Sequence, residues 1–335
     1  MSDPAAPPAA PDPVVGFGQL LRIALFPSAI ADVLVGLSLA HLGGVPSRPA
    51  VWLLVPASLG VYHGAMALND WADRRVDAAE RPERPIPSGA IPAGVAFGIA
   101  MLLMLGGVMW AAAAGPRAGL WMAAVALLAA LYDVAGRGPL RGPLLLGLCR
   151  AGNLGAGLLS PWLVGAEPRL SPVLVGALML VYGLHVASIS SLGRLEDGED
   201  DEPLGTRPTR FLTGAALTSS LLGLTALIVL LIAPAHALPD ILTGAGDAAN
   251  FTAAAVLAIW NGRVLLGAAR EMEAKGWTRA LVGAATGLCL RRLPWTLAGL
   301  AVIAADEGRV GLGAFVFCLA GGYVSKALRK RFPLT

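Results

Sequence analysis

The sequence predicts an all-α, polytopic membrane protein, built as one bundle of nine or ten transmembrane helices. Hydrophobic residues make up 56% of the 335 residues and charged residues only 14%, whereas about a quarter of a soluble domain is charged. The mean hydropathy is +0.68. Apolar stretches of roughly 20 residues recur, and a helix of that length crosses a bilayer. The ten candidate spans lie at about 17–41, 51–69, 92–114, 117–134, 142–164, 172–192, 211–233, 249–268, 279–304 and 311–327.

Most of these segments have the composition of regular membrane helices. Many begin after proline or end at glycine, as helices generally do, and the 42 glycines suit close helix packing in lipid. The least regular segment is 279–304, because Arg291, Arg292 and Pro294 lie in its middle. It is either a full span, a broken span or a half-membrane hairpin, which leaves both nine and ten crossings open.

The distribution of lysine and arginine predicts the orientation, since these residues collect in cytoplasmic loops. Alternate connections hold 16 and 4 basic residues, so both acid-rich loops, 70–91 and 193–210, are expected to face the cytoplasm. A bacterial cell membrane is the expected location.

A single domain is expected for residues 16–335, preceded by a disordered tail at 1–15 that is rich in proline and alanine. The net charge is +3. Because the basic residues follow membrane topology, the charge does not indicate a nucleic-acid partner.

Two acidic motifs stand at the ends of apolar segments, where charge is costly and usually functional. On a helix, Asp70, Asp73 and Asp77 share one face, and so do Asp197 and Asp201. Carboxylates this close repel one another unless a cation lies between them. Hard oxygen ligands favour Mg²⁺, which takes further ligands from substrate phosphates. The two motifs therefore predict a site that holds a diphosphate through Mg²⁺.

The run from Asn69 to Ile91 resembles the first signature of the UbiA superfamily of intramembrane prenyltransferases, N-D/Q-x-x-D-x-x-x-D followed by R-P-x-P-S-G. The residues from Asp197 to Asp201 are similar to the family's second motif, D-x-x-x-D, and Gly205-Thr206-Arg207 fits the G-x-K/R that often follows. Tyr132 and Arg137 are similar to a Tyr and basic pair after the fourth span. The segments 80–85 and 142–153 look more like the EboC-like bacterial subgroup than like the 4-hydroxybenzoate branch.

The resemblance implies an enzyme that binds a prenyl diphosphate through two Mg²⁺ ions. Its metal ligands would be Asn69 with the five motif aspartates, and Asp70, Asp73, Asp197 and Asp201 would carry catalysis. Loss of diphosphate leaves an allylic carbocation that an acceptor, often an aromatic ring, attacks. Glu196 and Asp200 have the same spacing as Asp197 and Asp201, and they remain an alternative pair.

Further polar residues are candidates for substrate contacts. Arg22, Arg84 and Arg207 are candidates for binding diphosphate, although cytoplasmic topology also explains them. Arg150 with Asn153 is a candidate for the pocket or for a structural ion pair. His63 and His185 could line the acceptor pocket or form helix–helix hydrogen bonds. The alternative function is a non-catalytic carrier of isoprenoids or metabolites.

Overall fold

The computed structural model describes residues 12–41, 46, 48–136, 138–168, 170–196, 204–232, 245–305 and 309–333, and these residues form helices and turns without a strand. Short 3₁₀ helices at Ile23–Leu25, Pro49–Leu53 and Val302–Ala304 extend three of the α-helices. The α-helices are α1 Pro13–Leu20, α2 Phe26–Ala40, α3 Leu54–Glu80, α4 Ala93–Ala114, α5 Pro116–Ala135, α6 Arg141–Leu158, α7 Ser160–Leu163, α8 Pro172–Gly193, α9 Arg207–Ile232, α10 Ala245–Ala274, α11 Arg279–Ala301 and α12 Arg309–Arg331.

The helices agree with the predicted membrane bundle. Within the described ranges, eight helices are long and apolar enough to cross a membrane. The helices α6 and α9, of 18 and 26 residues, occupy the positions of two further predicted spans. The segment that includes Pro294 is one continuous helix, α11, so the hairpin alternative for 279–304 is wrong. The chain is an integral membrane protein.

The tail expected at 1–15 falls mostly outside the described residues. Helix α1 begins at Pro13, where the Asp12 carboxylate accepts a hydrogen bond of 2.9 Å from the Val14 amide. Aspartate before a first-turn proline is a favourable helix start, and residues 13–15 of the expected tail belong to this helix.

Helices α2 and α6 form the centre of the bundle, because their side chains belong to both apolar cores. One core joins them to α3, α4 and α5, and the other to α8, α9, α10, α11 and α12. A Cβ added to Gly36 of α2 would lie 2.6 Å from the Leu154 carbonyl oxygen and 2.8 Å from the Gly157 Cα. The crossing of α2 and α6 therefore depends on glycine, as in other tightly packed membrane helices.

Candidate active site

The first acidic motif occupies the last three turns of α3, where two of its carboxylates are buried in ion pairs. Asp70 and Asp77 are each only 3% exposed. Arg22 donates to Asp70 at 3.1 Å, and Arg84 donates to Asp77 at 2.8 Å while lying 3.8 Å from Asp70. The two arginines therefore neutralise both carboxylates, Arg84 from the loop that follows α3 and Arg22 from the turn between α1 and α2.

Arg22 holds an unusual backbone conformation. Its φ of 50° and ψ of 43° lie in the left-handed region, and no other described non-glycine residue has a positive φ. That region is unfavourable for a long side chain, and such strain is typical of functional sites. The strained turn between α1 and α2 directs the guanidinium to Asp70.

Arg84 is placed by the proline-rich turn after α3. The Arg84 amide donates to the Arg81 carbonyl, and the Ile91 amide donates to the Pro85 carbonyl, each at 3.0 Å. Gly89 has a φ of +78°, which a side chain would disfavour. This compact turn folds back over the end of α3, so that Arg84 is only 7% exposed.

A polar cavity of about 430 Å³ lies beside the end of α3. Asn69 and Asp73 face it from α3, and Tyr132 and Asp133 face it from α5. Within the described ranges, no group of three or more His, Cys, Asp or Glu side chains is arranged to hold a metal by itself. The other residues that line the polar cavity are Val76, Asp77, Glu80, Arg81, Gly136 and Arg194.

An apolar pocket of about 80 Å³ adjoins the polar cavity on its interior side. Tyr132 and Asp133 line both spaces, so the two meet at the end of α5. Tyr62 lines the pocket from α3, and Arg150 and Asn153 line it from α6. The arrangement suits an amphiphilic molecule that has a charged head and an apolar tail.

A buried polar network forms one wall of the apolar pocket. The Asp32 carboxylate, which is 0% exposed, accepts hydrogen bonds from Arg150 at 3.0 Å, Asn153 at 3.0 Å and Tyr182 at 2.5 Å. Arg150 is thus both a pocket residue and half of a structural ion pair between α2 and α6. The structure combines the two alternatives that the sequence left open.

The two candidate histidines are at helix contacts and not in the described cavities. The His63 ring nitrogen Nδ1 lies 2.7 Å from the Leu21 carbonyl. His185 is 1% exposed and lies 3.0 Å from the Ala215 carbonyl, between α8 and α9. These contacts agree with the helix–helix hydrogen bonds that the sequence left open, and a place for either ring in an acceptor pocket stays a prediction. Arg207 lies at the start of α9, where its Nε donates to the Leu204 carbonyl at 3.4 Å.

Arg137, Asp197 and Asp201 lie outside the described residues. The described residues just before the second motif include Arg194 and Glu196. Arg194, just after α8, lines the polar cavity. The Glu196 carboxylate lies against Gly283 of α11, and this carboxylate is not among the groups lining the polar cavity.

Sequence reasoning missed Asp32, Asp133 and Arg194 as site residues. Asp32 and Asp133 are each the lone acid of an apolar span. An isolated acid at membrane depth is itself a signal of function, and that signal could have identified both.

The fold and the site define the class of this protein as an all-α intramembrane prenyltransferase. A model described as the UbiA prenyltransferase family matches residues 29–282, and the chain belongs to that family. The resemblance predicted from the acidic motifs is therefore confirmed. Assignment to the EboC-like subgroup stays a prediction.

Curated relatives and solved structures agree with this family. The chain is 31% identical over 220 residues to the bacteriochlorophyll synthase 33 kDa chain of Rhodobacter capsulatus, covering 56% of this chain and 67% of the relative. It is 31% identical over 198 residues to digeranylgeranylglyceryl phosphate synthase of Pyrococcus abyssi, covering 57% and 68%. A UbiA homolog from Archaeoglobus fulgidus bound to GPP and Mg²⁺ has the same fold, with a TM-score of 0.56, 15% identity, and coverage of 86% of this chain and 99% of the homolog.

Proposed function

We propose that this protein transfers a prenyl group from an allylic prenyl diphosphate to a small, aromatic acceptor in a Mg²⁺-dependent reaction. The observation that carries the proposal is the junction of the polar cavity with the apolar pocket at Tyr132 and Asp133. A prenyl diphosphate has the same division into a charged head and an apolar tail. The complex of the Archaeoglobus homolog with GPP and Mg²⁺ supports the choice of ligand.

The residues that would hold the metal supply oxygen ligands, as Mg²⁺ requires. Asn69 and Asp73 face the polar cavity, and Asp197 and Asp201 of the second motif are proposed to complete the site. When bound, Mg²⁺ neutralises charge that develops on the leaving diphosphate.

Asp70 and Asp77 are proposed to act in another way. Since Arg22 and Arg84 bind them directly, these four side chains would orient the end of α3. Arg22 and Arg84 would also keep positive potential near the diphosphate. Arg194 and Arg207 are proposed as further cationic contacts, in addition to Arg137.

The apolar pocket is proposed to receive the allylic carbon atoms. Its walls would exclude water, which would otherwise react with the carbocation. The rings of Tyr62 and Tyr132 line it, and aromatic faces stabilise cations. Arg150 and Asn153 would place polar groups near the acceptor, and the proton that the acceptor loses after attack would pass to the released diphosphate.

We also propose that residues 16–335 act as one catalytic domain in a bacterial inner membrane, with residues 70–91 and 193–210 on the cytoplasmic side. The 16-to-4 distribution of basic residues supports this orientation. The partners would be a prenyl diphosphate, a small acceptor and membrane lipid.

The test is incubation of the purified protein with prenyl diphosphates of different lengths and a lipid extract, followed by mass spectrometry of the products. We expect a prenylated product and released diphosphate with Mg²⁺, and neither with EDTA or with Asp73→Ala. A carrier would instead bind the prenyl compound without metal and release no diphosphate. Binding of a non-hydrolysable analogue that survives both EDTA and loss of Asp197 and Asp201 would establish the carrier.

A further inference from the structure

Asp133 is a buried carboxylate whose surroundings do not explain its presence. It lies near the end of α5 and is 6% exposed. Its Oδ2 atom is buried and has no hydrogen-bond partner within the described part of the chain. A buried carboxylate without a partner is unfavourable, and an apolar side chain would fill the same position without that cost.

The groups nearest to Asp133 increase this cost. Asp73 and Asp70 both interact with it repulsively. Asp70 has Arg22 and Arg84 as counter-charges, whereas no arginine or lysine among the described residues forms an ion pair with Asp133. A buried carboxyl group that faces other carboxylates, with no basic partner among the described residues, is typical of a site for a cation, because a bound cation would favour its charged form.

The position of Asp133 restricts where such a cation would lie. The side chain faces both the polar cavity and the apolar pocket, across from Asn69 and Asp73 on α3. Two opposed helices would therefore supply oxygen ligands at the point where the cavity narrows to the pocket. Neither acidic motif contains a ligand from α5.

We propose that Asp133 is a ligand of the divalent cation, supplied from α5 opposite Asn69 and Asp73. The proposal rests on the metal dependence given above as part of the function, and it adds a residue to that site. It places the cation at the junction of the two spaces, where the charged head of a prenyl diphosphate would adjoin its allylic carbon.

The experiment measures Mn²⁺ binding to the purified full-length protein by electron paramagnetic resonance, with and without a non-hydrolysable prenyl diphosphate. The variants are Asp133→Asn and Asp133→Leu. The control is Glu271→Gln, which changes an exposed acid of α10 that pairs with Lys275. We expect the Asp133 variants to weaken Mn²⁺ binding at least about tenfold, and the control to bind like the wild type.

Thermal unfolding supplies a second readout that does not depend on activity. Without metal, Asp133→Leu should melt at or above the temperature of the wild type, because it removes an unpaired buried carboxylate. Mn²⁺ should then raise the melting temperature of the wild type but not of Asp133→Leu.

The outcomes separate this inference from the proposed function. If both Asp133 variants bind Mn²⁺ like the wild type, Asp133 is not a ligand, and the proposed function is unaffected. If metal-free Asp133→Leu melts well below the wild type, the carboxylate has a structural role and the premise is wrong. If the wild type itself binds no Mn²⁺ even with the diphosphate analogue, the metal-dependent function fails and the inference fails with it.

Discussion

Replacing Asp32 with leucine should destabilise the protein strongly, although residue 32 lies far from the acidic motifs in sequence. Asp32 is the counter-charge of Arg150, and the side chains of this pair are 0% and 11% exposed. Asp32→Leu leaves the guanidinium buried between α2 and α6 without a carboxylate. The bundle must then either move Arg150 to water or accept an unpaired charge.

The expected cost is about 3–5 kcal/mol, the range for breaking one side of a buried ion pair. Asp32 also accepts from Asn153 at 3.0 Å and Tyr182 at 2.5 Å, and each unsatisfied neutral donor costs about 1–3 kcal/mol. These contributions overlap, because the freed donors can rearrange together, so they do not simply add. Removing both charges in Asp32→Leu/Arg150→Met should recover at least half of the loss.

The assay unfolds the protein in mixed micelles in which SDS gradually replaces a mild detergent. The fluorescence of the eight tryptophans measures the unfolded fraction. The wild type, both single variants and the double variant form a double-mutant cycle. A cost below about 1 kcal/mol for Asp32→Leu would contradict a buried ion pair. A double variant as unstable as the sum of the two single variants would show that Asp32 and Arg150 do not interact.

Three further predictions concern the site and the bundle. Asp73→Ala should abolish turnover without changing the melting temperature, because its side chain faces the polar cavity, whereas Asp70→Ala should lower both turnover and the melting temperature, because it leaves Arg22 and Arg84 without a shared carboxylate. Equal melting temperatures of the two variants would contradict this difference. Gly36→Val should cost about 1–3 kcal/mol in the same SDS assay, because a Cβ would lie 2.6 Å from the Leu154 carbonyl oxygen; a neutral effect would mean that α2 and α6 are not so close. Single cysteines at positions 79 and 200 should be labelled from the cytoplasmic side, and one at position 168 from the opposite side, with little background labelling because the native cysteines are buried. Labelling of positions 79 and 200 from opposite sides of the membrane would exclude a shared diphosphate site.

The sequence alone predicts the membrane helices, because whether a segment forms one depends on the composition of that segment. A stretch of about 20 apolar residues in lipid must satisfy its own backbone hydrogen bonds, and a helix does so. Each long described helix therefore overlaps a predicted span, although α3 continues to Glu80, beyond the predicted end at residue 69. Likewise, Asn69 to Ile91 is recognisable as a motif because its residues are consecutive.

The roles of the individual carboxylates depend on residues that are distant in sequence, so only the tertiary structure decides them. Spacing alone makes Asp70, Asp73 and Asp77 equivalent. In the folded protein Arg22, 48 residues before Asp70, binds Asp70, and Arg84 binds Asp77, while Asp73 and Asp77 are the two of the three that line the polar cavity.

Asp133 is a second example of a residue whose role the sequence alone does not reveal. Its proposed role depends on the α3 residues that face it across the polar cavity, because no residue near it in sequence is an acid or a candidate metal ligand. Hydropathy and spacing are properties of neighbouring residues, and they determine that this chain forms membrane helices with acidic ends. Which charges are paired, and which face the cavity, follows from helix packing that brings α2, α3, α5 and α6 together.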